Sequence, residues 1–160
     1  MTKLKVADFY YGSVLSMLFN QGIMNPALIE GNDDRQVYDF TVNSGNEYRL
    51  FLKYRADCQN IKRLNYNSWA FNISGDYQEL KDYIDEGKNV VLALICSSGD
   101  LSNSELALLN KEQILQIIDA GKQWFTVSRK KGEKSYRIPI DGSRVTALRV
   151  KCNSFQELFG

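Results

Sequence analysis

Val90-Val91-Leu92-Ala93-Leu94-Ile95 is apolar throughout, and its reading decides the fold. A short run rich in branched side chains, with no alternation of polar and apolar residues, fits a strand buried on both faces, as in a sheet covered above and below. Helical patterns flank it. Residues 76 to 86 put Leu80, Tyr83 and Ile84 on one face and stop at Gly87, while Asn110 and Gln113 make a capping pattern ahead of Ile114, Leu115, Ile117 and Ile118, with Gly121 as the stop. Upstream, Val6, Phe9, Tyr10, Val14, Met17 and Leu18 recur at helical spacing over residues 5 to 20, and Gly22 follows.

Residues 27 to 30, 36 to 42 and 47 to 55 read as three strands of an antiparallel meander. A polar connection is expected from 56 to 67, followed by further strands at 69 to 73, 105 to 109, 123 to 128, 135 to 140 and 146 to 151. The pattern predicts an α/β fold, a mixed central sheet with flanking helices, extended by a C-terminal β hairpin and strand.

At 160 residues and 18.3 kDa the chain is long enough to bury a core without disulfides or metal, and it reads as a single α/β domain over 1–160. Ser154-Phe155-Gln156-Glu157 has the form of a helix start only three residues from the end, which leaves open a longer protein continuing beyond Gly160. Net charge is +1, so an anionic partner has to meet a local patch rather than a general field. Histidine is absent, which removes the usual general base and the commonest zinc ligand. Chemistry would have to run on carboxylates, lysine, tyrosine, serine or cysteine.

Cys58, Cys96 and Cys152 are odd in number and widely spaced, without a CxxC pair. A reducing, cytoplasmic setting fits them, and Cys96 reads as a small buried hydrophobe. No stretch reaches membrane-spanning length, and the N-terminus lacks a signal-peptide core, so no membrane partner is expected.

Val42-Asn43-Ser44-Gly45-Asn46 suits a three-residue hairpin loop with Gly45 in the left-handed position. That loop sets Asp39 opposite Arg49 and Val37 opposite Phe51, and puts Asp39, Arg49, Phe51 and Lys53 on one side of the sheet. A two-residue loop would instead put Asp39 and Lys53 on opposite faces.

The order helix, three-strand meander, helix, buried strand, helix over roughly residues 5 to 120 resembles the core of the PD-(D/E)XK nuclease-like superfamily, the restriction-endonuclease fold. What the resemblance implies is a magnesium-dependent phosphodiesterase site, with an acid on the second strand and an acid-x-lysine motif on the third. Asp39 takes the place of the first acid and metal ligand, and Lys53 that of the lysine that orients water. Phe51 holds the place of the second acid, and a phenyl ring cannot ligate a hard cation. Glu30 or Glu47 would have to replace it. The residues also have a plain structural reading: Asp39 as an ion pair with Arg49, Lys53 as a stem laid over apolar surface, and Asp33 and Asp34 as turn formers.

Arg129, Lys130, Lys131 and Lys134 form a basic hairpin tip suited to phosphate contacts, or simply a solvated turn. Tyr10, Tyr11, Tyr38, Tyr48, Tyr54 and Trp69 are of the types enriched at protein interfaces, although most are expected in the core. The expected function is therefore a degenerate nuclease-like module that binds DNA, RNA or a protein partner, with weak or no hydrolysis and magnesium as cofactor only if active. The alternative is an inhibitor or immunity-type interaction domain with no catalysis.

Overall fold

The computed structural model describes residues 2–61, 65–98, 101–152 and 154–159. Helix α1 (Val6–Asn20) leads into the strands β1 (Met24–Gly31), β2 (Gln36–Thr41) and β3 (Glu47–Arg55). After β4 (Gln59–Ile61) and β5 (Tyr66–Asn72) come α2 (Tyr77–Asp85), β6 (Val90–Cys96), β7 (Glu105–Leu109) and α3 (Lys111–Asp119). The chain closes with β8 (Trp124–Lys130), β9 (Ser135–Ile138), β10 (Leu148–Lys151) and the short α4 (Phe155–Phe159).

The first sheet has the order β1-β2-β3-β6-β7 and is mixed: β6 runs parallel to β3, and every other neighbour is antiparallel. All seven residues of β6 are buried. Because successive side chains point to opposite faces, Val91, Ala93 and Ile95 join one apolar cluster while Val90, Leu92, Leu94 and Cys96 join another. On the first face lie α1, through Ala7, Tyr10, Tyr11, Val14 and Leu18, and α4, through Phe159. The opposite face is closed by Leu80 of α2, Ile114 and Ile117 of α3, and Trp69, Phe71, Phe125 and Val127 of the second sheet.

That second sheet contains the expected C-terminal hairpin and strand. β8, β9 and β10 do not extend the mixed sheet; they join β5 and β4 in an antiparallel sheet of order β10-β9-β8-β5-β4. Its seam is the seven-pair ladder from Tyr66↔Lys130 to Asn72↔Trp124, which joins segments far apart in the chain. β4 lies inside the stretch expected to be a polar connection. Its residues pair with β5 from Gln59↔Ser68 to Ile61↔Tyr66, so neighbouring backbone rather than an apolar pattern makes it a strand.

The meander and its register are as the hairpin loop requires. Val42 N donates to Asn46 O at 3.0 Å, Gly45 N donates to Val42 O at 2.9 Å, and Gly45 has φ +89°, open to glycine without strain. Asp39 faces Arg49 and Val37 faces Phe51. Asn110 and Gln113 close the expected capping box on α3, each side chain bonding the other's backbone N–H at 2.9 Å. Cys96 is buried and free, and burial pushes its thiol well above the usual range. Among the described residues, no helix is long and apolar enough to cross a membrane.

Candidate functional site

The face of β3 turned toward α2 carries Arg49, Phe51 and Lys53 at alternate positions, and each meets a different group. Arg49 grips Asp39 across the strands, Nε to Oδ1 and Nη2 to Oδ2 both at 2.8 Å, with its guanidinium 4.6 Å from the Tyr83 ring centroid. Phe51 is fully buried, with Arg35 lying over its ring at 5.3 Å. Lys53 Nζ sits 2.5 Å from Asp76 Oδ2, with 12% of the lysine side chain and 7% of the aspartate exposed. Asp39 and Lys53 thus share a face without sharing a partner. Lys53 lies four positions along β3 from Arg49, the partner of Asp39, roughly 13 Å at strand rise, too far for one metal centre to draw on both sites.

Asp76 is the pivot that the sequence did not reveal. It occupies the N-cap of α2 yet makes no side-chain capping bond, because Oδ2 faces Lys53 and Oδ1 accepts from Arg35 Nη1 at 2.8 Å. Arg35 Nη2 also reaches Glu30 at 3.1 Å and Glu79 at 2.5 Å, and Nη1 donates to Gly75 O at 3.4 Å. Its guanidinium therefore ties β1, the β1–β2 turn and α2 together through three carboxylates, as its fork of donors allows.

The charges respond to this crowding. A hydrogen bond shared with Glu79 raises the Glu30 carboxyl above its ordinary value. Burial pushes Glu79 up, but the Tyr83 hydroxyl, Glu30 and Arg35 together hold it below the usual range. Tyr83 is itself pushed far up by burial and by bonding to Glu79. Asp33 and Asp34 lie with Lys53 and Asp57 along a groove of about 310 Å³. Asp33 and Asp34 form the bend of the β1–β2 turn as expected, and Asn32 braces it, its Oδ1 accepting from Asp34 N at 2.9 Å and Arg35 N at 3.0 Å.

These residues do not fit magnesium. Asp39 is consumed by Arg49, Lys53 by Asp76, and Phe51 leaves the second acid position apolar. Glu30 is drawn to Arg35, and among the described residues no group of three or more histidine, cysteine, aspartate or glutamate side chains is arranged to hold a metal ion.

The basic tip divides by residue type. Arg129 Nε donates to Glu105 Oε1 at 2.8 Å, and the buried Tyr136 donates its hydroxyl to the same oxygen at 3.1 Å. Glu133 accepts from Arg137 Nε at 3.0 Å, Arg144 Nη2 at 2.5 Å and Lys130 N at 2.8 Å. Burial pushes the Glu133 carboxyl up, but the bonds from Arg144 and Lys130 N–H and the Arg137 charge win and hold it at about 2. The arginines are thus braces of the hairpin. Lys130, Lys131 and Lys134 are exposed around Gly132, and no carboxylate of the described residues pairs with them. Lys134 also borders a cavity of about 600 Å³ lined by Glu105, Arg129, Tyr136, Cys152 and Phe155.

No protein-family model, curated protein or solved structure matches this chain. Of the candidate interface aromatics, Tyr10, Tyr11 and Trp69 are buried, while Tyr38, Tyr48 and Tyr54 are half-buried in the α1 layer.

Proposed function

We propose that this chain is a non-hydrolytic binding module on a nuclease-like scaffold, holding DNA or RNA by its phosphates through Lys130, Lys131 and Lys134, in a reducing compartment such as the cytoplasm. One observation carries the reading: Arg129, Arg137 and Arg144 are paired with Glu105 and Glu133, and the side chains of the three lysines stand clear of that network. Exposed ammonium groups on a braced turn suit sequence-independent phosphate contact, where each neutralised phosphate releases counterions. Hydrolysis is not part of the reading, because Lys53 is paired with Asp76, Asp39 is paired with Arg49, and among the described residues no group of three or more acidic, cysteine or histidine side chains is arranged to hold a cation.

Fluorescence anisotropy with short labelled single- and double-stranded DNA and RNA tests it across a salt series. Binding by the parent should weaken with salt, and replacing all three lysines by alanine should flatten the logarithmic salt slope by about 2 to 3. A triple variant that binds like the parent would refute the assignment. Magnesium-dependent cleavage that disappears in Lys53→Ala would restore the enzyme. The protein-interaction alternative has its own support in Trp124, which is 61% exposed on β8; a parent that binds none of the four nucleic acids would favour it.

A further inference from the structure

We propose that two copies of this chain associate through the outer face of α1, packed antiparallel about a two-fold axis at the level of Val14. The helix is apolar on more than the side it needs. Ala7, Tyr10, Tyr11, Val14 and Leu18 bury the inner face, yet Phe9 and Phe19 on the outside remain 50% and 54% exposed. A surface helix in contact with water alone carries polar residues there.

The outer stripe is Phe9, Gly12, Ser16 and Phe19, all exposed, spaced three, four and three residues apart. That is the seam spacing of helices that pack at a shallow angle. The stripe also reads the same in both directions: reversal about position 14 exchanges Phe9 with Phe19 and Gly12 with Ser16. An isologous two-fold interface demands such self-complementarity, with each aromatic ring of one copy meeting the other aromatic of its partner and small residues meeting at the crossing.

Gly12 supports close approach independently. A Cβ built there would meet nothing within 4 Å and its φ is not positive, so neither packing nor backbone geometry inside the chain calls for glycine. In a helix interior it is less favourable than alanine. A second helix crossing at that point gives the missing side chain a use.

Charge favours the antiparallel sense. The last turn of α1 has no basic residue, while exposed Lys3 and Lys5 precede its first turn, Lys5 lying 3.6 Å from Asp33. Reversal brings these lysines of one copy toward the carbonyl end of the other helix, where positive charge is favourable. One helix pair covers less than the roughly 1,600 Å² of a standard interface, so the dimer is concentration-dependent.

Sedimentation velocity of the parent from about 1 to about 300 μM should show a mass rising from 18.3 kDa toward twice that value. Phe9→Ser/Phe19→Ser and, separately, Gly12→Leu should remain at the monomer mass with unchanged circular dichroism. A parent that stays monomeric throughout, or a dimer that survives both variants, overturns the proposal. Orientation has its own test in a Cys58→Ser/Cys152→Ser background: mixing a Gly12→Cys chain with a Ser16→Cys chain should give the mixed disulfide under mild oxidation. Preferential 12-to-12 crosslinking overturns the antiparallel arrangement.

Discussion

Asp76 opens α2 but turns its carboxylate to Lys53 and Arg35, so its removal strands Lys53, 12% exposed, and takes from Arg35 one of its three carboxylate partners. Breaking one side of a buried pair costs about 3 to 5 kcal/mol, because the desolvated partner keeps its charge. Asp76→Ala should therefore lower stability by that amount and Tm by roughly 10 °C, read by urea and thermal unfolding. Asp39→Ala should cost only about 1 kcal/mol, since Asp39 is 38% exposed and Arg49 keeps its place over Tyr83. Equal losses at the two positions would contradict this ranking. The contrast also explains what the sequence could reveal. Asp39 and Arg49 are joined by a hairpin whose loop fixes their register, so their pairing is legible locally. Lys53 meets a residue 23 positions away across the packing of α2 on the sheet. No short-range pattern records that contact.

Among the elements, the β8–β9 hairpin is held from inside by Glu133, which gathers Arg137, Arg144 and the Lys130 N–H. Its carboxyl is held at about 2 in the folded chain against an ordinary 4.5, so the folded state favours the ionised form. The stabilisation is complete above about 4.5 and is lost as pH falls toward about 2. In urea titrations, parent and Glu133→Gln should differ at neutral pH and converge over that acid window; a gap that stays constant would show that the charge is not what braces the turn. Strands with strong alternation or continuous apolar content, such as β3 and β6, were readable with nearly correct ends. β4 was not, because its strand character comes from pairing with β5. The strands β5, β8, β9 and β10 were readable one by one, but the partnership of β5 with β8 joins segments more than fifty residues apart, so their assembly into a second sheet left no local trace.

Across the whole molecule, the mixed sheet is a shared wall between two apolar layers. Leu50 and Leu92 are both almost fully buried, yet Leu50 faces α1 while Leu92 faces α2, α3 and the second sheet. Ser97, at the end of β6, ties the layers directly: its Oγ accepts from Tyr10 of α1 at 3.0 Å and its carbonyl accepts from Trp69 Nε1 of β5 at 2.6 Å. A wall common to both layers cannot lose one without exposing the other, so unfolding should be a single cooperative transition. Leu50→Ala and Leu92→Ala should each cost about 2 to 5 kcal/mol. Each should move two signals together: the fluorescence of Trp69 and Trp124, both in the second sheet, and the near-ultraviolet dichroism of the stacked Tyr10–Tyr54 pair in the α1 layer. If Leu50→Ala advanced the tyrosine signal while leaving the tryptophan transition in place, the two layers would be separate cooperative units, and the sheet between them would not be the common core that its register and burial describe.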